Sequence, residues 1–376
     1  MKERLDSLDV KIVEALGTYG PRNLMQVAKA LGVTRDLVQY RIDRMTSLFR
    51  LRTHVTVYHT NLGLKKAVLF INANPGCEDL LFDCLKINPF YIYLTRYYGM
   101  YEGCFAIFTI PVENCDDFVK FIEEIKKLGI AKDSMLYWST CFHTINQTSQ
   151  WFDYELEQWV FPWDEWVKEV PNQPTSLPYT LIDPEGFPMK ADELDLLIMQ
   201  ELEVDATISL SEIAKKWKTS PQRIKYHYEK HIIERGLIEK FQISVRPFDN
   251  EPQQPIMLWF IFRFNDSEKM AKFASSLLTK PFALVVGKIR FENALVAQIY
   301  LPALEFRRFI ESLSQICRHG LLQSYSYVIQ DRRKGKWSRE TIPFEDSKDG
   351  KWVYDHQRDI KKLHELAKKS GIFFEA

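Results

Sequence analysis

Apolar side chains at Leu5, Leu8, Ile12 and Leu16 recur every three or four residues, the period of one helix face, and Gly17 and Gly20-Pro21 end the run. Leu24, Val27, Ala28 and Leu31 predict a short second helix. Gly32-Val33 then turns the chain, and Thr34 caps a third helix whose buried side is Val38, Ile42 and Met45. Two short helices joined by a tight glycine turn make a helix-turn-helix. Alternating residues at 52–57 predict a wing strand. From residue 67 the period switches between strand and helix: strands at 67–73, 91–98, 104–111 and 135–145, helices at 78–87 and 116–128. That β-α-β-β-α-β order is ferredoxin-like, an antiparallel sheet with helices on one face.

The same order comes twice. Displaced by 186 positions, residues 8–45 overlie 194–231 without a gap, with identities that include Leu8/Leu194, Asp9/Asp195, Ile12/Ile198, Ala28/Ala214, Lys29/Lys215 and Tyr40/Tyr226. A second register, displaced by 191, aligns Pro111/Pro302, Phe118/Phe309, Ile125/Ile316 and Gly129/Gly320. In the second half Ser220 caps the third helix, Pro221 takes its first position, and 239–245 form the wing. Strands follow at 257–264, 283–290, 295–301 and 323–330, with helices at 267–278 and 305–318. The predicted class is α+β: two tandem copies of a winged helix-turn-helix plus a ferredoxin-like βαββαβ domain. The units run 1–60, 65–146, 189–248 and 254–331, with an acidic Trp/Pro-rich strap at 147–188 and a basic, aromatic tail at 332–376 that ends in a short helix. Each sheet is expected to bury its open face, with Tyr93, Phe105, Phe108, Trp138, Trp259 and Phe262, against the other sheet or against a second copy in a homodimer.

Composition narrows the classes. Net charge is zero, with 50 basic and 50 acidic residues, so no global polyanion preference exists. No apolar run approaches the ~20 residues of a bilayer span, and the charged MKERLDSLD start is no signal peptide, which predicts a cytoplasmic protein without a membrane partner. Six scattered cysteines without a CxxC pair argue against a zinc ribbon, a redox motif or a disulfide scaffold. The strap carries Trp151, Trp159, Trp163 and Trp166 among eight acids, too many aromatics for a free linker, and is expected to lie on a domain surface.

Charge is local. Residues 1–58 hold ten basic against six acidic side chains, and residues 215–230 hold six against one. Phosphate neutralisation dominates DNA affinity, and long donors reach base edges from a recognition helix. The candidate DNA contacts are Thr34, Arg35, Gln39, Tyr40, Arg41, Arg44, Arg50 and Arg52 in the first unit. In the second they are Lys218, Ser220, Gln222, Arg223, Lys225, Tyr226 and Lys230.

The stretches Leu5-Asp6-Ser7-Leu8-Asp9-Val10-Lys11-Ile12, Val27-Ala28-Lys29-Ala30-Leu31-Gly32-Val33-Thr34 and Val38-Gln39-Tyr40-Arg41-Ile42-Asp43-Arg44-Met45 resemble the Lrp/AsnC (feast/famine) transcription regulators of bacteria and archaea. The resemblance covers roughly 1–145 and 189–330. It implies a regulator of transcription that reads double-stranded DNA, here a fused dimer with two unlike half-sites, and an amino acid or related metabolite as effector. The chain departs from the family at Trp217-Lys218-Thr219, at Tyr226-His227-Tyr228, and in the effector loops Gly99-Met100-Tyr101-Glu102-Gly103 and Arg290-Phe291-Glu292-Asn293. No nucleophile elbow, P-loop, metal-ligand spacing or dinucleotide fingerprint is present, so neither enzyme activity nor a cofactor or metal is expected. Two alternatives stand beside this reading. One is a tetrapyrrole enzyme similar to the siroheme decarboxylases, which share the architecture and place His and Arg around the ring, with His143, His227 and His231 as candidates. The other is a protein-interaction scaffold of the transcription machinery.

Overall fold

The computed structural model describes residues 4–249, 254–337, 341–348 and 350–371. Helix α1 (Ser7–Tyr19) starts where Asp6 accepts from the Leu8 and Asp9 amides while the Asp9 carboxylate accepts from the Asp6 amide, a reciprocal capping box. Helix α2 (Leu24–Leu31) stops at Gly32, whose φ of 67° is the left-handed conformation a glycine adopts without strain. Thr34 caps α3 (Arg35–Phe49), and the wing strand β1 (Arg52–Val57) follows. The first α/β unit then runs β2 (Leu64–Ala73), α4 (Glu78–Leu85), β3 (Tyr91–Tyr98), β4 (Gly103–Pro111), α5 (Cys115–Lys127), β5 (Ala131–Ser139) and the two-residue β6 (His143–Thr144). The expected single strand at 135–145 is thus broken after Ser139. A strap with β7 (Phe152–Asp153), β8 (Gln158–Trp159) and α6 (Trp163–Glu169) leads to the second half.

That half repeats the order: α7 (Glu193–Val204), α8 (Leu210–Lys216), α9 (Pro221–Tyr226), the wing β9 (Ile238–Ser244), β10 (Ile256–Arg263), α10 (Ser267–Leu277), β11 (Ala283–Lys288), β12 (Ala294–Leu301), α11 (Phe306–Arg318) and β13 (Ser324–Gln330). Its third helix differs from the expectation. After six residues it widens into a π turn over His227–Ile233. The chain closes with β14 (Lys336–Trp337), the hairpin β15 (Ser347–Lys348) and β16 (Lys351–Trp352), and α12 (His356–Ser370). The two winged helix-turn-helix and ferredoxin-like units are as expected. Among the described residues no helix is long and apolar enough to cross a membrane.

The halves interlock. The wings pair antiparallel, Arg52 opposite Ser244 and Val55 opposite Phe241. Each helical unit packs beyond its own half: Ile243 and Val245 join the core of α1–α3, and Val55 and Val57 join a core that holds both α7–α9 and the first α/β unit. The two sheets fuse edge to edge through β3 and β13, giving the order β5-β2-β4-β3-β13-β10-β12-β11-β6. β5 and β6 end that order at opposite sides yet are separated by three residues of chain, and Ser139 bridges Ile289, so the sheet curls back on itself.

The inner face of the curl is a core of Phe70, Tyr93, Phe105, Phe142, Trp259 and neighbours, with Phe105 and Trp259 stacked at 4.1 Å. Of the six residues expected there, Tyr93, Phe105 and Trp259 are in place. Phe108, Trp138 and Phe262 face the helices, because strand alternation sends residues an odd number apart to opposite faces. One chain covers both sheet faces from within, which removes the need for a second copy to do so. The strap buries Trp163 and Trp166 against Phe282 and Phe309 of the second unit. Trp352 and Tyr354 lie on Phe90 of the first.

Candidate functional site

Where the paired wings cross the mouth of the curled sheet lies an open-sided cavity of about 1200 Å³, larger than the ~300–1,000 Å³ usual for small-molecule sites. Its walls come from both halves. β1 supplies Arg52, His54 and Thr56; β2 supplies Lys66; β3 supplies Ile92 and Tyr93; and the segment at the end of β9 supplies Ser244 and Arg246. β12 and β13 add Gln298 and Gln330, which hydrogen-bond each other at 3.0 Å, and Arg332 follows. Strand alternation places these groups. His54 lies two residues beyond Arg52 on one face of the wing, and Arg246 lies two beyond Ser244, Arg52's partner across the ladder.

The electrostatics are lopsided. Among the described residues, neither Arg246 nor Lys66 has an ion pair. Arg246 lies over the Tyr300 ring at 5.4 Å, and burial lowers its guanidinium from the usual range. Lys66 is 6% exposed and stacks over Phe142 at 4.5 Å, and burial lowers its ammonium. His54 is pulled down to about 4, first by burial and then by the charges of Arg52 and Arg246. His59, which donates to or accepts from Thr341 at 2.8 Å, is driven well below its ordinary value by burial and by Lys66. The lining acids are Asp43, Glu203, Asp205 and Asp249, and Asp249 is shared by Arg332 at 2.5 Å and Arg50 at 3.7 Å. Glu239, 3.3 Å from His143, is pushed up to about 7 by burial, so near neutrality it is only partly charged and compensates Lys66 weakly. Buried cations without a direct ion pair are costly; Glu203, Glu239 and Asp249 act on them only from a distance, and a bound anion offsets that cost. The arrangement suits a large polyanionic ligand with an apolar body, held between Arg246, Lys66 and the inner aromatic face.

The residues expected to touch DNA are dispersed. Tyr40 and Tyr226 are exposed, at 63% and 57%. Thr34 and Ser220 are taken up as helix caps. Arg35, Gln39, Arg50 and Arg52 border the cavity, and Gln39 hydrogen-bonds Asp43 at 2.9 Å. Lys218, Gln222, Arg223, Lys225 and Lys230 stand exposed on the second unit, with Lys225 and Lys230 in helix-face pairs with Glu229 and Glu234. Arg41 and Arg44, expected to point outward, turn inward instead. Arg41 binds Asp6 and reaches Asp9 at 3.2 Å, and Arg44 reaches Asp9 at 2.5 Å. Asp9 is fully buried, and charge compensation there outweighs exposure. Replacing both arginines by alanine leaves that carboxylate uncompensated and is expected to cost about 3–5 kcal/mol of stability in denaturant titration.

The histidines singled out by sequence separate into two places. His143 contacts Thr180 and Glu239, whereas His227 and His231 adjoin each other with ring centroids 4.4 Å apart. His54, His59, Lys66 and Arg246 were missed. Each sits in or beside a strand pattern that reads as plain alternation, and their convergence depends on wing pairing across 190 residues of chain.

No family model and no curated protein matches the sequence. Among solved structures, the siroheme decarboxylase NirDL aligns over 97% of this chain and 99% of its own, with TM-score 0.52 and 10% identity. The same decarboxylase in complex with an iron-uroporphyrin III analogue aligns over 96% and 98%, with TM-score 0.51 and 11% identity. An AsnC-family regulator from Pyrococcus furiosus covers 36% of this chain at 17% identity and TM-score 0.29. AsnC/Lrp-type regulators are therefore neighbours over about a third of the chain, and the full-length likeness is to an enzyme. The expectation that the chain is no enzyme is corrected on that ground: from end to end its fold is one that a decarboxylase uses.

Proposed function

We propose that the chain is an enzyme of the siroheme decarboxylase type, taking a polycarboxylate tetrapyrrole into the cavity between the paired wings and the curled sheet. The observation that carries the reading is the convergence of three basic side chains without a direct ion pair, His54, Lys66 and Arg246, on a cavity of about 1200 Å³. A tetrapyrrole offers a flat apolar ring for Tyr93 and Phe142, and carboxylate arms for the cations. NirDL, which shares the fold end to end, is a decarboxylase that has been seen with an iron-uroporphyrin III analogue. Decarboxylation of a –CH2–COO⁻ arm breaks the bond to the carboxyl carbon, releases carbon dioxide, and leaves an electron pair that takes up a proton to give a methyl group. Arg246 and Lys66 orient the arms. His54 carries the proton: burial and the charges of Arg52 and Arg246 keep it neutral, and a neighbouring carboxylate offsets that repulsion.

The test is titration of the purified protein with siroheme and with iron-uroporphyrin, followed by absorbance, with mass spectrometry of the extracted pigment for carboxyl loss. Saturable one-to-one binding is expected. The pH sign follows from His54. Its value lies near 4 without ligand and rises when an anion binds, so binding takes up a proton and affinity strengthens as pH falls towards about 4. Calorimetry in two buffers of different ionisation enthalpy measures that proton. No spectral change with either pigment overturns the reading.

A second reading is favoured by the exposure of Tyr40 and Tyr226 beside Lys218, Gln222, Arg223 and Lys225. It holds that the two halves are a duplicated Lrp/AsnC-like unit that grips double-stranded DNA at two unlike half-sites, with a metabolite as effector. Selection from a random DNA pool tests it separately, and retained binding there with silence towards pigment would reverse the order of the two.

A further inference from the structure

We propose that Asp192, Asp195, His227 and His231 form a binding site for a divalent transition cation, one that fastens the third helix of the second winged unit to its first. The site is independent of the tetrapyrrole cavity, whose lining includes none of the four. Asp192 caps α7 and Asp195 completes the capping box one turn later, so both carboxylates sit at one helix end. His227 and His231 are four residues apart, in the segment where the backbone widens to a π turn, a distortion frequent at functional sites.

The four groups converge. His227 Nδ1 lies 2.8 Å from Asp195 and 3.5 Å from Asp192; His231 Nδ1 lies 3.2 Å from Asp195 and 3.5 Å from Asp192. One ligand atom from each residue falls within 4.8 Å of all the others. A tetrahedral zinc ion with bonds of ~2.0–2.2 Å separates its ligand atoms by about 3.3 Å, so the observed spacings bracket those of an assembled coordination shell. Two imidazoles and two carboxylates suit zinc, cobalt or nickel rather than calcium or magnesium.

The first winged unit supplies the second argument. Asp6 and Asp9 form the same capping box on α1, and there the carboxylates are held by the permanent cations Arg41 and Arg44. In the register of the repeat, His227 stands at the place of Arg41 and His231 at that of Met45. Asp195 is as deeply buried as Asp9, and among the described residues no Lys or Arg reaches it. A bound dication supplies the charge that guanidinium groups supply in the first unit.

The test is metal content and cobalt spectroscopy on the full chain. The protein, stripped with chelator and reloaded with zinc, is expected to retain one ion after desalting. Cobalt(II) should give the intense visible bands of a tetrahedral site, displaced by one equivalent of zinc. His231→Gln should weaken zinc at least about tenfold, and His227→Gln/His231→Gln should abolish the cobalt bands, while His143→Gln keeps both. Asp192→Asn guards against misfolding: asparagine caps a helix as well as aspartate does but contributes no charge, so the fold stays and affinity falls. Substoichiometric metal in the wild-type chain overturns the proposal. So does metal uptake unchanged in the double histidine variant and in Asp192→Asn.

Discussion

Arg246→Gln is expected to weaken iron-uroporphyrin binding by about 2–5 kcal/mol, roughly 30- to 5000-fold, while leaving the fold intact or slightly firmer. The two halves of that result share one cause. Arg246 lies at the end of the second wing with Tyr300 beneath it, and the nearby carboxylate, Asp249, is already held by Arg332 and Arg50. Without ligand its charge is a burden, shown by a guanidinium that burial lowers from its ordinary range. Glutamine keeps much of the side-chain volume and removes the burden, so the thermal midpoint should not fall. A bound carboxylate arm loses its buried partner, and that loss appears in affinity. Arg246→Lys should recover part of the binding, since it restores charge without the two-pronged geometry of guanidinium. A variant that binds pigment as the parent does would place the ligand elsewhere. Lost binding with a lowered midpoint would instead mark Arg246 as a structural residue.

Much of the fold could be read from local rules. The caps at Thr34 and Ser220, the glycine stop at Gly32, and the strand and helix periods of both α/β units depend on neighbours within a few residues, and the structure places these elements within a few positions of the expected ranges. What escaped was long-range or degenerate. Arg41 and Arg44 look like any exposed basic residues on a recognition helix, and nothing within ten residues of them announces that Asp6 and Asp9 claim their charge. The inward face of the sheet was half misassigned because Phe105 and Phe108 were given one face against the period of two. The cavity had no motif at all. His54, Lys66 and Arg246 come from three strands or their ends, and they meet only because the first wing pairs with the second. The π turn at His227–Ile233 was equally hidden: a 3.6-residue period carried through Tyr226 gives no warning that the helix loosens there.

Trp259→Ala is expected to cost about 3–5 kcal/mol in denaturant titration, the largest stability loss of any single inner-face substitution. Trp259 stands mid-strand in β10, fully buried, stacked on Phe105 at 4.1 Å and within 5.8 Å of Tyr93 and 6.5 Å of Phe142. Phe105 and Tyr93 belong to the first α/β unit and Trp259 to the second, so the indole is the plug that joins the two sheets across the curl. The packing around it has no slack. Gly287 on β11, two strands away, lies so close to Phe142 that a Cβ there would come within 2.3 Å of the ring. Trp259→Phe should lose less, and Met100→Ala, at a site 90% exposed, should change stability by under about 1 kcal/mol. Because Tyr93 and Phe142 also line the cavity, the alanine variant should weaken pigment binding as well, without altering the proton taken up on binding. A small stability loss for Trp259→Ala would mean that the sheets fold as separate cores, and the cavity between the wings would then lose the rigid floor on which its ligand rests.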